Sequence, residues 1–139
     1  MASLPAKLQI KPADRVRLVA APAGAAAALE PLPDDVHLTA RGAGPFDVVV
    51  LFAKDRAALE RGVAGAIAVT KAGGILWVAY PKKGSSLEAD LSRDAVWRAL
   101  QPTGWAPVAQ VAIDDVWSAL RFRPVGDAQR ARQEGGQRG

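Results

Sequence analysis

The sequence has no cysteine and a single histidine, His37. Without thiols there is no disulfide framework and no thiolate metal site, and a lone imidazole cannot anchor a histidine-rich one. Long apolar stretches are also missing. The longest uncharged run, Leu18 to Leu29, is interrupted by Pro22 and falls short of the ~18 apolar residues of a membrane span. Met1 to Arg15 lacks the continuous apolar core of a signal peptide, so the expected location is cytoplasmic. No Walker, EF-hand or zinc spacing occurs, and no nucleophile motif stands beside His37, which argues against a catalytic triad.

The 139 residues suit one domain, and a chain that is 50% hydrophobic and 23% charged has the composition of a folded body. The net charge of +4 is unevenly placed. From Arg121 to Gly139 there are five arginines against Asp127 and Glu134, so most of the excess sits at one end. Residues 1–124 are therefore expected to form the domain and residues 125–139 a disordered basic tail. That tail gives one alternative function, nucleic-acid binding, although such tails are more often solvated ends.

Strand and helix signals alternate along the body. Arg15 to Ala21 reads as a first strand after the turn-forming Lys11-Pro12-Ala13-Asp14, and Gly24 to Glu30 as a short helix stopped by Pro31 and Pro33. Val36 to Thr39 is a brief second strand. Phe46 to Phe52 is too short for a helix and too apolar for a surface strand, which places it centrally. Asp55 caps a helix with Leu59, Val63, Ile67 and Thr70 on one face, and Gly73-Gly74 is expected to end it. Ile75 to Tyr80 is another buried strand. A polar loop, Lys82 to Asp90, leads to a helix with Leu91, Ala95, Ala99 and Leu100 inward. Trp77 and Trp97 are expected in the core. Val108 to Ile113 and Trp117 to Arg123 read as a closing antiparallel hairpin, with Trp117 on the side opposite Leu120 and Phe122.

This order resembles class I methyltransferases, through Phe46 to Phe52, Lys71-Ala72-Gly73-Gly74, Ile75 to Pro81 and the hairpin from Val108 to Arg123. The resemblance implies an α/β, three-layer Rossmann-like fold, truncated by one strand–helix unit. Its mostly parallel six-stranded sheet then has the order 2-1-3-4-6-5, with the last strand antiparallel. The chain also resembles a family of small bacterial proteins with no established activity. That likeness rests on Lys7 to Pro12, Tyr80-Pro81-Lys82-Lys83, Asp90 to Asp94 and Asp114 to Phe122.

The methyltransferase resemblance implies S-adenosylmethionine, gripped by a glycine-rich turn after the first strand and an acid at the end of the second. The turn here is Ala21-Pro22-Ala23-Gly24, with one glycine and a proline that lacks an N–H, and the second strand ends in Leu38-Thr39-Ala40-Arg41. Asp34 and Asp35 precede that strand, at the wrong end of the sheet. Ala21, Pro22 and Gly24 are cofactor residues only if the chain is a divergent methyltransferase. The leading expectation is no cofactor and a non-catalytic module binding a partner protein or a small anionic ligand. The anion candidates are Lys82, Lys83, Ser85 and Ser86, which leave the carboxyl end of a central strand. Asp115, Trp117 and Ser118 are partner-surface candidates. The bland readings beside them are solvated lysines, turn-forming Asp114 and Asp115, and a Trp117 that covers a helix.

Overall fold

A computed structural model describes residues 3–85 and 90–124, so Ser86 and the basic tail lie outside the described residues. Six strands form one sheet in the order β2-β1-β3-β4-β6-β5. They are β1 (Arg15–Val19), β2 (His37–Thr39), β3 (Phe46–Phe52), β4 (Thr70–Pro81), β5 (Trp105–Ala112) and β6 (Trp117–Pro124). β1 to β4 pair in parallel, and β6 runs antiparallel to both β4 and β5. The expected order and the reversed last strand are both present. No helix among the described residues is long and apolar enough to cross a membrane.

β3 and the Leu76–Pro81 half of β4 are buried on both faces, which is why these stretches read as continuous apolar runs. One face carries Val49, Leu51, Leu76, Val78, Leu120 and Phe122 against two helices, α3 (Arg56–Val69) and α4 (Arg93–Leu100). The other carries Val48, Val50, Phe52, Trp77, Ala79 and Trp117. Its cover is slighter: α1 (Leu4–Lys7), the segment that follows it, and α2 (Ala25–Ala28). Leu8 and Ile10 of that N-terminal strap are buried, and the Trp77 indole N–H donates to the Leu8 carbonyl at 3.0 Å. Nothing in the local pattern of Met1 to Asp14 marks this segment as a cover for the sheet.

The helix before Gly73-Gly74 ends earlier than expected, at Val69. The Thr70 hydroxyl donates to the Ala66 carbonyl at 2.8 Å and closes the last turn, and the chain enters β4 at once. The pairing with β3 slips between Phe46 and Val48, so Lys71 to Gly74 form a bulge. A Cβ on Gly74 would come within 2.9 Å of the Lys71 carbonyl oxygen and 3.0 Å of that of Asp47, so this glycine serves close backbone approach and no helix cap. A second correction concerns Trp97. It is 42% exposed, because Val96 and Leu100 set the buried stripe of α4.

Candidate functional site

The β4 strand ends at Pro81, where the Lys82 N–H donates to the Val116 carbonyl at 2.7 Å and fixes the outgoing loop against the β5–β6 link. Ser92 accepts from the Ala95 N–H at 3.1 Å and starts α4 directly across from that loop. Between them lies a cleft of about 770 Å³, whose polar lining includes Tyr80, Lys82, Lys83, Arg93, Gln110 and Ser118. It opens at the carboxyl end of β4, the usual place for a ligand on such a sheet.

Tyr80 and Ser118 face each other across the β4–β6 pairing. The Gln110 amide donates to the Tyr80 hydroxyl at 3.3 Å and to the Ser118 hydroxyl at 3.1 Å, and Ser118 donates to the Val111 carbonyl at 3.3 Å. Burial pushes the Tyr80 phenol's pKa up, outweighing the Ser118 hydroxyl and the Arg93 charge, which favour the phenolate. At neutral pH the phenol therefore keeps its proton and can donate it to an acceptor in the cleft. Asp90 also lines the cleft, but its Oδ1 accepts the Arg56 N–H at 2.9 Å and so caps the start of α3.

The structure thus brings Lys82 and Lys83 together with Tyr80, whose place beside them follows from the methyltransferase resemblance, and adds Arg93 and Gln110, which no local sequence pattern marks. The Ser85 N–H donates to the Lys82 carbonyl at 3.0 Å and closes the turn after β4. The partner-surface candidates are corrected in two of three cases. Trp117 is buried edge-on to Phe52, ring centroids 5.2 Å apart, and Ser118 is buried in the Tyr80 network. The N-terminal strap covers this side of β6, so Trp117 serves as cover rather than as a platform for a partner. Asp115 is exposed, and Asp114 is the turn former, its Oδ1 accepting the Val116 and Trp117 N–H groups at 2.8 Å each.

At the end of β1, Gly24 adopts a left-handed φ of 86° at the start of α2, and the Ala25 N–H donates to the Pro22 carbonyl at 3.1 Å. Beneath this turn is an apolar cavity of about 210 Å³, lined among others by Leu8, Leu18, Val50, Ile113 and Trp117. A notch of about 340 Å³, lined by Lys54, Ala58 and Arg61, shares Pro22, Phe52 and Trp117 with the cavity lining. The end of β2 holds no acid. There Thr39 accepts the Arg41 N–H at 3.1 Å, and Arg41 stands where a ribose-binding carboxylate is expected. Asp34 lies at the amino end of the sheet as anticipated, its carbonyl accepting the Ala13 N–H at 2.9 Å. Among the described residues no three His, Asp or Glu side chains cluster to hold a metal.

No protein-family model matches the chain, and no curated protein is similar to it in sequence. Solved structures are. The DhpI complex with S-adenosylhomocysteine aligns with a TM-score of 0.59 at 13% identity, over 88% of this chain and 82% of that one. A SAM-dependent methyltransferase from Aquifex aeolicus gives 0.58 at 12% identity, over 86% and 87%. The ribosomal protein L11 methylase from Lactobacillus delbrueckii subsp. bulgaricus gives 0.53 at 13% identity, over 87% and 74%. The fold is that of the class I methyltransferases. The Pro22 turn follows the carboxyl end of β1 and the Tyr80 cleft opens at the carboxyl end of β4, and open α/β sheets of this kind place ligands at the carboxyl ends of their strands.

Proposed function

We propose that this chain is a ligand-binding domain of methyltransferase fold whose Tyr80 cleft takes a small anion, a phosphate- or carboxylate-bearing molecule. The observation that carries this reading is convergence. Lys82, Lys83 and Arg93 bring three cations to one cleft beside a protonated phenol and the Gln110 amide, while the cleft's carboxylate, Asp90, is bonded to backbone. The test is a thermal-shift series with ADP, pyrophosphate and citrate. A ligand at a hundred times its Kd stabilises the folded state by about 2.7 kcal/mol, and the rise in Tm should vanish in Lys82→Ala/Lys83→Ala. Tyr80→Phe should weaken the same ligand about fivefold by removing one donor worth ~1 kcal/mol. If none of the three anions moves the wild-type Tm, this reading is wrong.

S-adenosylmethionine-dependent methyl transfer is the second reading, and the comparisons speak for it more than for an inert scaffold. It is supported by alignment over most of the chain with methyltransferases, one solved with S-adenosylhomocysteine, and by a cavity beneath the Pro22 turn. Pro22 and Arg41, standing where donors and an acid are expected, oppose it. Calorimetry with S-adenosylhomocysteine separates the two: a low-micromolar Kd favours methyl transfer, and no heat at millimolar concentration removes it.

A further inference from the structure

The cavity beneath the Pro22 turn and the notch beside it have opposite chemistry. Leu4, Leu8, Leu18 and Val50 give the cavity apolar walls, and its carboxylate, Asp114, is held in the hairpin link by two N–H groups. The notch carries Lys54 and Arg61, both exposed and neither in an ion pair among the described residues. Ala58 lies three residues before Arg61 on the same face of α3, and its small side chain leaves the notch open. Three residues, Pro22, Phe52 and Trp117, belong to both linings, so the apolar cavity and the cationic notch border the same three side chains.

We infer that cavity and notch form one site for a small amphipathic carboxylate. Its apolar body lies among Leu8, Leu18, Val50 and Trp117, and its head lies against Lys54 and Arg61. The two volumes, about 210 and 340 Å³, together fall within the ~300–1,000 Å³ of small-molecule sites. Orientation follows from charge. Asp114 repels an anionic head at the cavity end, while two cations attract it at the notch. A sulfonium cofactor would meet the opposite field there. The site shares no lining residue with the Tyr80 cleft and does not depend on the anion assigned to that cleft.

The probe is decanoate below its micellar concentration, titrated calorimetrically against the whole chain, with decanol as the uncharged control. Decanoate should bind the wild type, and Lys54→Ala/Arg61→Ala should weaken it at least tenfold while leaving decanol unchanged. Ala25→Trp, which fills the cavity from α2, should abolish both. Lys82→Ala/Lys83→Ala should bind decanoate like the wild type, which separates this site from the Tyr80 cleft. The inference is overturned if decanoate does not bind, if the Lys54/Arg61 double variant binds it normally, or if the Lys82/Lys83 variant loses it. It is also overturned if S-adenosylhomocysteine displaces decanoate at lower concentration. Should Ala25→Trp unfold, the exposed pair Lys54 and Arg61 decides the matter alone.

Discussion

Asp47 holds two partners from distant parts of the chain. Its Oδ2 accepts the Arg15 N–H at 2.8 Å and its Oδ1 the Lys71 ammonium at 2.7 Å. The Arg15 bond, then the Lys71 bond, hold its carboxyl below the ordinary 3.8. Because the folded pKa is the lower one, the stabilisation is present above the unfolded value and is lost as pH falls through the folded value. Asp47→Asn should therefore cost about 1 kcal/mol in urea melts at pH 7, with the gap to wild type closing below pH 3.8. The sequence offered no hint of this pair, since its members are 24 residues apart. The tryptophans show the same boundary. Alternation along β6 correctly set Trp117 opposite Leu120, but what covers that side is the N-terminal strap, more than a hundred residues earlier in the chain. Trp97 was misassigned because alanines at 95 and 99 bury too little area to reveal the phase of α4 against Val96 and Leu100.

Capping was the most readable property of the elements. Asp55 accepts the Ala58 N–H at 2.8 Å, as a polar residue ahead of an apolar periodic run leads one to expect. Asp55→Ala should lower stability by ~1 kcal/mol, measured by thermal or urea unfolding, since it strands a donor in the first turn of α3. The second cap of that helix, Asp90 on the Arg56 N–H, comes from 34 residues downstream and is invisible to any local pattern. Strand identities and their order were legible because both faces of β3 and of the Leu76–Pro81 half of β4 are buried. The end of α3 was not. Two glycines signal either a helix stop or a strand bulge, and the slipped pairing with β3 that decides between them is a tertiary fact. The Tyr80 cleft was half readable: Lys82 and Lys83 stood out as charge beyond a strand, whereas Gln110 and Ser118 join them through the register of the closing hairpin.

Taken as a whole, the molecule is asymmetric across its sheet, with two full helices on one face and a strap and a four-residue helix on the other. The strap is held by the Trp77 indole on the Leu8 carbonyl and by Arg121 on the Gln9 side chain at 3.0 Å. Trp77→Phe leaves a buried carbonyl unpaired and should cost ~1–3 kcal/mol, with faster amide exchange at Leu8 and Ile10 as the local readout. At the far edge, β5 carries Pro107, which has no N–H, and a slip in pairing at Val108; both interrupt the ladder that another strand would need there. Ser118 and Trp117 are neighbours on β6 whose side chains leave through opposite faces. An ion held in the cleft is expected to alter the surroundings of the indole on the next residue, so the protein contains its own optical gauge. ADP should shift the fluorescence of the wild type, and the shift should be absent from Trp117→Phe, with no dye attached.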